Sequence, residues 1–86
     1  MKPSLDRIYR AHVHDLSRFL LFLSRDPHTA EDLVQETFFR AYLHLEQYRG
    51  GSAKSWLFAI AYRVYLDHHR KHRRVVVKEQ RFFAGM

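Results

Sequence analysis

Apolar residues in this chain return every three or four positions from Leu5 to Val64, and the pattern is broken only at Pro27 and at Gly50-Gly51. That period keeps one face of a helix against a core, and no stretch shows the strict alternation of a half-buried strand. Leu5, Ile8, Tyr9, His12, Leu16, Phe19, Leu20 and Leu23 make a first stripe. Ala30, Leu33, Val34, Thr37, Phe38, Ala41 and Leu45 make a second. Leu57, Ile60, Ala61, Val64 and His68 make a third, with Trp56 at its edge. The predicted helices span about residues 4–24, 27–45 and 53–73, with one loop over 46–52. The fold class is all-α. Eighty-six residues leave room for one core, so residues 1–74 are read as a single domain and 75–86 as a linker or tail. Val75-Val76-Val77 fits neither a helical period nor a core.

The helix ends carry their own signals. Ser4 is suited to cap the first helix, with Asp6 near its positive end. Pro27 stops that helix, because it lacks an N–H and disfavours a helical Asp26. The same Asp26-Pro27 pair opens the next helix as cap and first residue. Gly50-Gly51 gives the loop access to backbone conformations closed to other residues, and Ser52 is placed to cap the third helix.

Charge is confined. Residues 49–74 hold seven Lys/Arg against one Asp, a net of +6, which equals the net charge of the whole chain. Such a localised excess attracts a polyanion better than scattered charge does. Tyr48, Trp56, Phe58, Tyr62 and Tyr65 interleave with these cations and offer flat faces to unstacked bases. The outward positions of the third helix are Lys54, Ser55, Phe58, Tyr62, Arg63, Leu66 and Arg70. The second helix is the opposite in sign, with no Lys or Arg from Asp26 to Phe39. Its outward residues are Glu31, Asp32, Gln35, Glu36, Phe39 and Tyr42. Two accounts stand for Glu31 and Asp32: acids that complement the helix dipole, or part of a protein-contact face completed by the aromatics.

Enzyme classes find little support. Arg49-Gly50-Gly51-Ser52 lacks the spacing and Lys of a phosphate loop, there is no Cys, and no Ser stands with a His and Asp orienter. His68 and His72 are four apart without an evident third ligand, and are read as a solvated basic helix end. His12 is read as a core or boundary residue. No catalytic residue, metal or cofactor is expected. No apolar run reaches the ~20 residues of a membrane span, and the N-terminus lacks the order of a signal peptide. The expected location is cytoplasmic, without membrane insertion. A basic helix lying on a membrane is a rival, but its apolar face is needed here for the core.

The order of motifs resembles a known family. Ala30-Glu31-Asp32-Leu33-Val34-Gln35-Glu36-Thr37-Phe38 is followed by Tyr48-Arg49-Gly50-Gly51-Ser52, Ser55-Trp56-Leu57-Phe58, Ile60-Ala61 and Asp67-His68-His69-Arg70. This series is similar to region 2 of bacterial sigma-70 factors, and most similar to the extracytoplasmic-function (ECF) group. The resemblance spans about residues 5–74. It implies a compact three- to four-helix bundle that docks on the clamp helices of core RNA polymerase. It also implies recognition and melting of the promoter minus-ten element, and an anti-sigma factor that masks these surfaces. The implied polymerase-binding residues are Glu31, Asp32, Gln35, Glu36, Phe39 and Tyr42. The implied DNA-binding residues are Tyr48, Arg49, Ser52 and Lys54, around a loop that captures a flipped base of the non-template strand. Ser55, Phe58, Tyr62, Arg63 and Arg70 would face the duplex. Trp56 corresponds to an aromatic of the melting region, with a packing role equally open.

The chain departs from the family at several places. Trp56-Leu57 stands where primary sigma factors carry adjacent tryptophans, Ala59 where the group often has Arg, and Tyr62-Arg63 where it often has Arg-Asn. The family's usual second helical domain is missing after Met86, which leaves a fragment cut at the linker or a short homologue, with the fragment favoured. The alternative function is a sigma-like interaction module that binds a protein partner without reading DNA.

Overall fold

The computed structural model describes residues 4–84, with side chains placed through Lys71. Helix α1 spans Leu5–Ser24, α2 Pro27–Leu43 and α3 Ala53–Ala84, with one 3-10 turn at Leu45–Gln47. No strand occurs among the described residues. The helix starts follow the sequence signals. Ser4 Oγ accepts from Arg7 N–H at 3.2 Å. Asp26 Oδ2 accepts from both Thr29 N–H at 3.2 Å and Thr29 Oγ1 at 2.6 Å, with Pro27 in the first turn. Ser52 Oγ accepts from Ser55 N–H at 3.1 Å. Each of the three backbone bonds satisfies an N–H that a helix start would leave unpaired. Helix α1 closes on Arg25 in the left-handed region at φ 59°, its N–H bonded to Leu21 O at 2.8 Å.

The three helices run up, down and up. Tyr9 meets Phe38 across α1 and α2, and Leu21 lines a groove with Pro27 and Ala30, so these two helices are antiparallel. Asp15 reaches Lys54 and Phe19 meets Phe58, so α3 follows α1 in the same direction. The core between them is Ile8, Leu16 and Leu20 from α1, Ala30, Leu33, Val34 and Ala41 from α2, and Leu57, Ala61 and Val64 from α3. Thr37 is also fully buried, and its hydroxyl donates to Leu33 O at 2.7 Å. That bond removes the cost of a polar group in an apolar layer.

Several expectations need correction. Helix α2 ends at Leu43, and Leu45 belongs to the 3-10 turn, so the connection tightens before the loop proper begins. Helix α3 runs on to Ala84 where an end near residue 73 and a tail were expected. The valines at 75–77 carry only a small helix penalty, so an established helix extends through them. Tyr9, on the first stripe, keeps 45 % of its surface exposed. His68 is exposed where the third stripe turned it inward, whereas Phe58 and Leu66 are half-buried.

Candidate nucleic-acid and protein interfaces

All six expected polymerase-facing residues stand exposed on α2. Phe39 and Tyr42 show 56 % and 66 % of their surface. They straddle the ridge of the helix. Glu31 and Gln35 border a groove toward α1 whose walls are Tyr9, Val13, Leu21 and Phe38. Asp32 and Glu36 border a cleft toward α3 shared with Arg40, Asp67, His68 and Lys71.

In that second cleft one guanidinium serves two carboxylates. Arg40 Nε donates to Glu36 Oε1 at 3.1 Å, and Arg40 Nη1 donates to Asp67 Oδ2 at 2.9 Å. The bond to Asp67, foremost, holds the Arg40 pKa above its ordinary value, against the partial burial that opposes it. Sequence reasoning missed Arg40. Its spacing from Glu36 is a legible i,i+4 signal, but its pairing across 27 positions is not.

The residues expected at DNA are divided by the structure. Tyr48, read as a stacking face, is 8 % exposed. Its ring meets Trp56 edge-on at 5.1 Å, and its hydroxyl donates to Gly51 O at 2.6 Å. It braces the loop from inside. Gly50 and Gly51 both take positive φ, 95° and 80°, and this reversal brings the Gly51 carbonyl back over the tyrosine. Arg49, Ser52, Lys54 and Ser55 remain at the surface around that turn. The Ser52 hydroxyl oxygen is engaged as the helix cap. Lys54 Nζ pairs with Asp15 at 3.3 Å and lies 5.6 Å from the Phe58 ring centroid.

Helix α3 then presents two flanks. Phe58, Tyr62, Tyr65 and His69 descend the one beside α1, with Phe19–Phe58 centroids 5.1 Å apart, Tyr62–Tyr65 6.4 Å and Tyr65–His69 5.8 Å. Arg63 and Arg70, both exposed, descend the flank nearer α2, with Asp67 between them. Arg63 opens into a cleft of about 340 Å³ beneath the loop, lined also by Arg40, His44, Gln47, Trp56 and Ile60. His44 was not foreseen, and Gln47 only as part of the 46–52 loop, because a turn rather than a periodic face carries them there. The side chains of His72, Arg73 and Arg74 lie outside the described residues. Among the described residues no group of His, Asp or Glu is arranged to hold a metal ion.

Comparison with known proteins bears directly on this arrangement. The family model for sigma-70 region 2 matches residues 8–75, which takes in most of α1, all of α2, α3 as far as residue 75, and both surfaces. The chain belongs to the sigma-70 region 2 family. Several of its relatives are named as ECF sigma factors, the group the motifs implied. It is 45 % identical over 73 residues to the ECF RNA polymerase sigma factor SigM of Bacillus subtilis, covering 85 % of this chain and 45 % of the relative. It is 37 % identical over 73 residues to the ECF RNA polymerase sigma factor SigE of Mycolicibacterium smegmatis, covering 85 % and 28 %. With the ECF RNA polymerase sigma factor SigX of Bacillus subtilis it shares 33 % over 72 residues, covering 83 % and 37 %. This sigma region 2 chain thus spans less than half the length of these relatives. No solved structure matches it. No helix among the described residues is long and apolar enough to cross a membrane.

Proposed function

We propose that this sigma region 2 domain binds the clamp helices of core RNA polymerase and recognises and melts a promoter minus-ten element. The observation that carries this reading is the pairing of two surfaces on one small bundle. An acidic and aromatic ridge lies on α2, and a basic surface runs from the Arg49–Lys54 turn down α3. Glu31, Asp32, Gln35, Glu36, Phe39 and Tyr42 form the polymerase contact. Arg49, Ser52 and Lys54 surround the captured base of the non-template strand, and Ser55, Phe58 and Tyr62 face the duplex. Arg63 and Arg70 hold phosphates, which register the strand without reading it. Tyr48 and Trp56 act beneath, as the brace that keeps the loop in shape. The reading is non-enzymatic: binding one unstacked base offsets an unstacking cost of a few kcal/mol and draws the duplex toward its open form. A cytoplasmic place and control by an anti-sigma factor belong to the same proposal.

Burial of Tyr48 favours the alternative module to one extent, since it removes an aromatic platform from the strand. Co-purification separates the readings. The chain should be retained by core polymerase, and the double variant Asp32→Lys/Glu36→Lys should lose retention with an unchanged helical circular dichroism spectrum. Retention of a folded double variant would discard the ridge as the contact. Retention of the unaltered chain together with no affinity for single strands would favour the module that does not read DNA.

A further inference from the structure

Asp67 occupies an awkward position for a helix that holds DNA. It lies four residues after Arg63 and three before Arg70, within ion-pairing reach of both along one helix. Left to itself, its carboxylate would draw one or both guanidinium groups away from phosphate. In the structure it does neither. Asp67 is bonded instead to Arg40 of α2 at 2.9 Å, and neither Arg63 nor Arg70 forms an ion pair among the described residues.

We infer that Arg40 is a positioning residue for DNA binding: it sequesters the Asp67 carboxylate and so keeps Arg63 and Arg70 available to phosphates. The inference rests on the proposed DNA contact. It gives the Arg40–Asp67 pair a role that its own strength does not explain, because side chains 31 % and 48 % exposed make a pair that solvent screens. Glu36 has a share in the geometry. It holds Nε of the same guanidinium at 3.1 Å, which fixes the fork and leaves Nη1 directed at Asp67. Arg40 itself also lines the cleft into which Arg63 opens, so the residue that holds Asp67 and one of the two phosphate-binding arginines border the same surface.

The test uses the full chain and a fluorescent single-stranded oligonucleotide, titrated over a range of salt. Arg40→Gln should bind about fivefold more weakly near 0.1 M salt, with a log–log slope shallower by about 0.7, the equivalent of one phosphate contact on a single strand. Two double variants restore the net charge equally but differ in which carboxylate they remove. Arg40→Gln/Asp67→Asn should recover the affinity and the slope, whereas Arg40→Gln/Glu36→Gln should not. Equal recovery by both would reduce the effect to net charge and overturn the inference, as would unchanged binding by Arg40→Gln. A second measurement does not involve DNA. The Nε–H resonances of Arg63 or Arg70 should shift in Arg40→Gln and return in Arg40→Gln/Asp67→Asn; resonances that stay fixed in both would overturn the inference. Failure of the unaltered chain to bind any single strand would remove the DNA reading beneath it. The resonance test would still report whether Asp67 turns to its neighbours.

Discussion

Tyr48 shows how far one residue's role depends on groups the linear sequence keeps apart. Its aromatic ring beside Arg49 reads as a platform for a base, and nothing in the sequence says that two glycines at positive φ turn the Gly51 carbonyl onto its hydroxyl. Composition foretold the loop; the direction of its aromatic was decided by a hydrogen bond and an edge contact with Trp56. The consequence is a reordered expectation. Tyr48→Phe keeps the packing and loses the bond to Gly51, which should lower stability by about 0.5–1.5 kcal/mol in thermal unfolding. Tyr48→Ala should cost more and should weaken matched and scrambled minus-ten strands by the same factor. A fall confined to matched strands would return Tyr48 to direct base contact.

Elements were more legible than their surfaces. The stripes of α1 and α2 and the caps at Ser4, Asp26 and Ser52 follow from spacing and from the chemistry of helix starts. The division of α3 into aromatic and basic flanks does not, because periodicity marks the outward arc without saying which neighbour stands beside each edge of it. Asp67 was likewise visible only as one acid in a basic run; its partner comes from another helix. The cap of α2 yields a pH dependence. Hydrogen bonds from Thr29, the side chain foremost, hold the Asp26 pKa below its ordinary value. A carboxylate so shifted contributes stability above its unfolded pKa, and that contribution is lost as pH falls through the lowered folded value. The melting-temperature difference between the unaltered chain and Asp26→Asn should therefore be constant near neutrality and shrink below about pH 4. A difference that is flat down to about pH 2 would mean the bonds to Thr29 do not depend on charge.

At the scale of the molecule, one compact bundle holds the acidic and aromatic ridge of α2 and the basic surface of α3 together through a small core. Asp32 and Glu36 are separated from Asp67 and Lys71 by a single cleft. The up–down–up course has a further consequence, for the order in which the chain assembles. Helices α1 and α2 are joined by two residues, Arg25 and Asp26, and find each other by a short local search. The contact between Asp15 and Lys54 closes across 39 positions, and the loop-closure cost of such a contact is lowered once α2 has already turned the chain back. Folding should thus begin with the α1–α2 hairpin, and α3 should dock afterwards. In stopped-flow kinetics Phe38→Ala, at the Tyr9 contact, should chiefly slow refolding, while Phe58→Ala, at the Phe19 contact, should chiefly speed unfolding. The reverse pattern would place α3 in the nucleus. If α3 does dock last, the basic helix is also the first to let go, and the domain would lose the grip on a polyanion proposed for it before its ridge has lost its shape.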